Sequence, residues 1–284
     1  MKLTNDQSQE IKDQKSQEDQ TNIDNENFSH LIDVYKETKS DEQSFIDTQS
    51  IHWDKYYKED AKFNNLDNLK NFRKNQILSL GLDDATNLQN RLNLIEALDN
   101  FDGNYLKRNL PEKNIGNCNN SINFLGYWFD YGMIHHLKWY EKIQKYIQNN
   151  FYILEIGGGF GSLARIILKN KNVKYFIIDL PHANMMSNYY LQCHFPEKKI
   201  FNYLDFKKYK LEDSLNDFDI FILPPRILDK KDIKFDFVIN TRSFMEMNKK
   251  TILEYFNLLQ KNIKQNGYFL NINRYIKSTV NEEI

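Results

Sequence analysis

Leu154-Glu155-Ile156-Gly157-Gly158-Gly159-Phe160-Gly161 holds four of the chain's ten glycines within five residues. An apolar run, Phe151-Tyr152-Ile153-Leu154, leads into it, and a helix-forming stretch from Ser162 to Leu168 follows. The order is buried strand, glycine turn, helix. Glycine is used where φ must be positive or where a ligand lies against bare main chain. A helix that starts at such a turn aims unpaired N–H groups and the positive end of its dipole at an anionic group. The turn predicts a cofactor-binding enzyme.

The dinucleotide fingerprint G-x-G-x-x-G would need a glycine at 162, where Ser162 stands. No Gly-Lys-Ser/Thr follows, which excludes a phosphate-cradling P-loop. Glu155 sits two residues before the first glycine. A second apolar run, Val173 to Ile178, ends in Asp179, 22 residues after Gly157. That spacing puts a carboxylate on the next strand tip, at the distance from which it grips ribose hydroxyls.

In this order of acid, glycines, strand and second acid the chain resembles the class I S-adenosylmethionine-dependent methyltransferases. The resemblance implies S-adenosylmethionine as cofactor. Gly157, Gly158, Gly159 and Gly161 would hold its methionine part, Asp179 its ribose, and Glu155 would lie near its amino group. Leu180 and Asn240 complete the expected cofactor-binding set. The competing reading is a glycine turn that only packs a helix on a sheet. Five features agreeing in order and spacing argue against it.

Outside the turn, composition sets bounds. At 284 residues, 40% of them apolar, with 17 Tyr and 20 Phe, the chain can fill one large core and an appendage. The net charge of −1 gives no global field to recruit nucleic acid. Residues 1–50 carry 12 acids against 5 lysines, and the remainder carries 33 basic against 27 acidic residues, mostly scattered lysines read as solvated surface. Cys118 and Cys193 lie far apart without metal-ligand spacing and read as reduced thiols. The N-terminus lacks the apolar stretch of a signal peptide, and no run is long enough to span a bilayer. A cytoplasmic protein without a bound metal is expected.

Residues 1–23, nearly all polar, form an expected disordered tail. Residues 24–146 read as a helical N-terminal region, with Phe28, Leu31, Ile32 and Tyr35 at helical spacing and a further helix over 133–148. From 147 to 284 strands alternate with helices, the signature of a parallel, doubly wound, Rossmann-like α/β sheet. Strands are predicted at 151–156, 173–179, 218–223, 235–240 and 267–273, with Ile200–Asp205 competing for the third. Right-handed crossovers then place the first strand centrally, between the second and fourth. In the helix over 250–263, Ile252, Leu253, Phe256, Leu259 and Ile263 are expected to face the sheet.

Further segments narrow the resemblance: Ile177-Ile178-Asp179-Leu180-Pro181, Tyr189-Tyr190-Leu191, Phe235 to Met247 with Ser243-Phe244-Met245-Glu246-Met247, and Tyr268 to Arg274. With Gly81-Leu82-Asp83-Asp84 and Ile115-Gly116-Asn117, they are similar to the sugar O-methyltransferase family of bacterial surface-polysaccharide gene clusters, over roughly residues 70–275. The implied acceptor is a hydroxyl of a sugar or sugar nucleotide. Class I methyltransferases follow the fifth strand with a helix and an antiparallel strand pair, which the ten residues after Arg274 cannot supply. Truncation, a homo-oligomer covering the exposed edge, or a remnant protein would each account for this.

Methyl transfer to a hydroxyl calls for a base. Glu246, six residues after Asn240, is the first candidate, set against a pairing with Arg242 four residues earlier. His135 is the second. It is adjacent to His136, so the two rings point in different directions, and a structural role competes for each. His182 either lines the pocket or begins the next helix. The alternatives to an active sugar methyltransferase are a catalytically silent cofactor-binding or assembly protein and a methyltransferase for another small molecule.

Overall fold

The computed structural model describes residues 25–41, 64–74, 87–225 and 227–274. The expected tail over 1–23, the segment with Ile77 to Asp84 and the expected lack of a strand pair after Arg274 lie outside them. In chain order the elements are α1 (Asn25–Asp41), α2 (Leu66–Lys70), α3 (Asn87–Asn100), α4 (Gly103–Asn109), β1 (Ile122–Phe124), β2 (Tyr127–Phe129), α5 (Tyr131–Ile143), β3 (Tyr152–Ile156), α6 (Ser162–Asn170), β4 (Lys174–Ile178), α7 (Pro181–His194), β5 (Ile200–Phe201), α8 (Tyr203–Lys208), β6 (Ile220–Leu223), β7 (Phe235–Thr241), α9 (Lys249–Asn262) and β8 (Ile263–Ile272). The described residues fall into two compact units, one within 67–134 and one combining 25–41 and 64–66 with those from 135 to 274.

In the first unit, Asp102 caps α4 by accepting from the Tyr105 N–H at 2.9 Å. Arg73 pairs with Asp130 at 2.8 Å, both side chains buried. Gly116, at φ +82°, leaves room that Phe72 and Arg73 occupy. β1 and β2 form a hairpin over Leu125-Gly126, both at positive φ, the geometry of a type I′ turn. The sequence reading assigns no strand here, because three-residue strands are too short to show alternation.

The second unit is built on six parallel strands in the order β5-β6-β4-β3-β7-β8. β3 pairs with β4 on one side and β7 on the other, as the sequence predicts. The two competitors for the third strand are both strands. β6 pairs with β4, and β5 adds two residues outside β6.

Side chains alternate across each strand. Leu154, Ile156, Phe176, Ile178, Phe221 and Val238 belong to one core, packed with Tyr255, Leu258 and Leu259 of α9. Phe176 stacks on Phe221 at 4.3 Å and meets Phe235 edge-on at 5.1 Å. Ile153, Glu155, Tyr175 and Ile177 point to the opposite face, which right-handed crossovers assign to α6 and α7. α9 agrees with the sequence reading at Leu259, which is buried, and at Ile252 and Ile263, which pack on the core, and corrects it at Leu253 and Phe256. Its buried face is Tyr255, Leu258, Leu259 and Asn262, whereas Leu253 is 54% and Phe256 38% exposed. The helix is apolar around more than one face, and Asn262 settles its rotation by donating to the carbonyls of Lys231 and Ile233 at 3.0 and 2.8 Å.

α1 belongs to this unit. Leu31, Ile32, Val34 and Tyr35 are buried, and the helix packs against α7 and α8. Lys207 of α8 reaches Glu37 and Asp41 at 2.7 and 3.0 Å, and the Tyr203 hydroxyl donates to Asp41 at 2.9 Å. Each unit buries one thiol, Cys118 in the first and Cys193 in the second.

Candidate active site at the carboxyl ends of the strands

The chain leaves β3 through a turn held by main-chain bonds. The Gly157 N–H still pairs with Ile178 O of β4 at 2.8 Å, and the Gly161 N–H closes on Gly158 O at 3.0 Å. Gly157, Gly159 and Gly161 sit at φ +73°, +56° and +88°, a region costly for residues with a Cβ. Gly161 is the N-cap of α6, so its conformation sets where that helix begins. Two of the bare faces are filled by the protein itself. A Cβ on Gly157 would collide with the Ser243 side chain, and one on Gly161 would press on Leu191. The Glu155 carboxyl lies beneath Gly158, whose added Cβ would stand 3.1 Å from Oε2.

Two acids flank the turn. Asp179 follows β4, and its Oδ2 accepts from the Gly159 N–H at 2.7 Å. Its Oδ1 accepts from the Leu180 N–H at 2.7 Å. Burial raises the Asp179 carboxyl to about 6, against the pull of these two bonds. Glu155 is 2% exposed, and its Oε2 accepts from the Tyr175 hydroxyl at 2.8 Å. Burial drives its carboxyl up to about 8, Tyr175 opposes the rise, and Asp179 adds to it. Tyr175 is pushed well above its ordinary range by burial and by Glu155.

Asn240, fully buried at the end of β7, joins three elements. It donates to Ile156 O at 2.9 Å and accepts from the Phe244 N–H at 3.2 Å and from Asn273 Nδ2 at 2.8 Å. Asn273 in turn accepts from the Met245 N–H at 3.1 Å. These bonds fix a 3₁₀ turn, Phe244–Glu246, entered through Arg242 at φ +63°. Glu246 is half-buried at its end, with its N–H on Ser243 O at 3.0 Å. Glu155, Gly157, Gly158, Gly159, Gly161, Asp179, Leu180 and Asn240 thus stand at the carboxyl ends of β3, β4 and β7, with Gly159, Asp179 and Leu180 bonded to one another and Glu246 on the turn after β7. His135 stands on α5, half-buried, its ring stacked on Trp139 at 5.9 Å, while His136 meets the same indole edge-on at 5.2 Å. His182 opens α7, buried, its imidazole lowered to about 4 by burial and by Lys39.

Four residues escape the sequence reading. Tyr175 is the partner a buried glutamate needs from the neighbouring strand, and only period-two alternation could have pointed to it. Asn184, one turn into α7, donates to Asp179 O at 2.8 Å. Ser243 and Asn273 act through contacts 86 and 33 residues apart in sequence, with Gly157 and Asn240, and no local pattern reports them. Among the described residues no set of three His, Cys, Asp or Glu gathers to hold a metal, and no helix is long and apolar enough to cross a membrane.

No protein-family model and no curated protein matches the chain. Solved structures do. A candidate sarcosine dimethylglycine methyltransferase from Galdieria sulphuraria aligns at 17% identity and TM-score 0.34, covering 48% of this chain and 45% of its own. An S-adenosylmethionine-dependent methyltransferase from Thiobacillus denitrificans, in complex with S-adenosyl-L-homocysteine, aligns at 12% and 0.31, covering 45% and 44%. The glycopeptide N-methyltransferase MtfA complexed with sinefungin aligns at 11% and 0.32, covering 48% and 47%. The chain spans less than half the length of each. Likeness at this level carries no weight for chemistry, which rests on the strand order and side chains above.

Proposed function

We propose that the protein is an S-adenosylmethionine-dependent O-methyltransferase acting on a hydroxyl of a sugar or polysaccharide precursor. One observation carries the cofactor reading. At the point where the strand order reverses about β3, a glycine turn and the Asp179 carboxylate are joined by the 2.7 Å bond from Gly159 N–H. Open α/β sheets bind ligands at such a reversal. The donor set fits the ligand: two acids without an ion pair suit a nucleotide that carries ammonium and sulfonium charge. Asp179 faces its ribose, the turn its amino-acid end, and Leu180 and Asn240 the walls between.

When bound, the cofactor supplies an electrophilic methyl carbon. The chain's own residues orient the acceptor and remove its proton. Glu246, on a turn fixed by Asn240 and Asn273, takes the hydroxyl proton as attack proceeds, a contribution of ~10²–10⁴-fold. His135 is the second residue in that role. The sugar acceptor rests on the resemblance of Ser243-Phe244-Met245-Glu246-Met247 and its companion segments.

Calorimetric titration with S-adenosylmethionine and with NAD tests the cofactor. Saturable binding of the first alone is expected, and the reverse overturns the reading. Incubation with nucleotide sugars and a methyl-labelled cofactor, read by mass spectrometry, tests the acceptor. Glu246→Ala is expected to lose turnover while keeping cofactor affinity, and unchanged turnover removes it from the mechanism.

A further inference from the structure

Glu155 and Tyr175 make a buried pair with no role in the reading above beyond proximity to the cofactor's amino group. They come from adjacent strands, are 2% and 0% exposed, and share one hydrogen bond of 2.8 Å. The carboxyl lies against the turn, where a Cβ on Gly158 would stand 3.1 Å from its Oε2. Its partners in register, Ile177 on β4 and Ile239 on β7, are apolar. A second carboxyl, Asp179, bonds to the same turn. Among the described residues neither acid forms an ion pair. Arg165, buried on α6, makes none with Glu155, and His182 on α7 carries no charge near neutral pH. An anion at Glu155 would therefore be desolvated and set against a like charge, with a single phenol to support it.

We propose that the Glu155–Tyr175 pair holds a proton when no ligand is bound and exchanges it for the ammonium group of the nucleotide. The inference rests on the cofactor reading of the turn. The Glu155 O–H bond breaks, the proton passes to solvent, and the carboxylate left behind balances the incoming cation. No other bond changes. Tyr175 is a positioning residue: its bond to Oε2 holds the carboxyl beneath Gly158. The elevation of Glu155 to about 8 agrees with a group that is protonated in the ligand-free protein at neutral pH.

Calorimetry of the full chain in buffers of different ionisation heat counts the protons released. With S-adenosylmethionine, release near one proton is expected around pH 6.5, vanishing about one unit above the Glu155 value, with affinity rising up to ~10-fold per pH unit between. S-adenosylhomocysteine keeps the ammonium and should release the same proton. Glu155→Gln preserves shape and should abolish the release. Its difference from the wild type also removes the ligand's own amino titration. Tyr175→Phe removes the donor that favours the anion and should move the window to higher pH. Binding with no Glu155-dependent proton release and a flat pH profile overturns the inference and leaves the cofactor reading standing. Absence of binding by either nucleotide overturns that reading, and the inference with it.

Discussion

The two faces of β3 and β4 are made by alternate residues of the same ten positions, and they obey different rules. One face is buried and apolar at Leu154, Ile156, Phe176 and Ile178, sealed by a stacked pair of phenyl rings, with Tyr152 and Lys174 only at its half-buried margin. The other places Glu155 and Tyr175 among isoleucines, equally buried but satisfied by one bond. The first face stabilises the fold at every pH. The second trades stability for a group whose charge can change. Burial alone does not tell the two faces apart, but the pairing of what is buried does.

Substitutions on each face should break that contrast. Phe176→Ala opens a cavity in the aromatic stack and should cost ~3–5 kcal/mol in urea unfolding, with the same loss at acid and alkaline pH. A cost that varies with pH would place titrating groups on both faces. Gly157→Ala should cost ~1–3 kcal/mol, from its positive φ and the collision with Ser243. Adding Ser243→Gly should recover the collision and leave the backbone cost, a coupling that a double-mutant cycle measures.

Glu155 gives the pH test. Its native value is raised from 4.5 to about 8, so the folded state binds the extra proton between those limits. Stability is full below the unfolded value and falls through the window by about 1.4 kcal/mol per pH unit. Glu155→Gln should flatten this slope and melt higher than the wild type at alkaline pH. A wild type whose melting temperature does not fall between the two values would show that Glu155 is not held protonated. The smallest effect is expected from Asn273→Ala. It removes one half-buried acceptor and one donor at the 3₁₀ turn, about 1 kcal/mol, and should lower turnover more than cofactor affinity if the turn positions Glu246.

The sequence made the apolar face and the glycine turn readable and left much of the other face hidden. β3 and β4 announce themselves as continuous apolar runs ending in Gly157 and Asp179, so strand order, turn and acid spacing follow from local pattern. The amide relay of Asn240 and Asn273 joins strands by contacts that no window of sequence contains. α9 departs from its expected face at Leu253 and Phe256 for a different reason. Six apolar residues between 252 and 259 define no single stripe, and a polar residue, Asn262, chooses the buried face through carbonyls on another segment. β5 and β6 compete in the sequence because a two-residue edge strand carries almost no signal. The sequence places Glu246 six residues after Asn240, but not at the end of a turn pinned by Asn240 and Asn273.

The two cysteines give the molecule its own stopwatch. Cys118 and Cys193 are shielded, and each unit owns one. A thiol reagent added in excess can modify either sulfur only when its surroundings open, so the two labelling rates, separated by peptide mass, time the opening of each half independently. Addition of nucleotide should slow the clock at Cys193, which lies on the helix that follows Asp179.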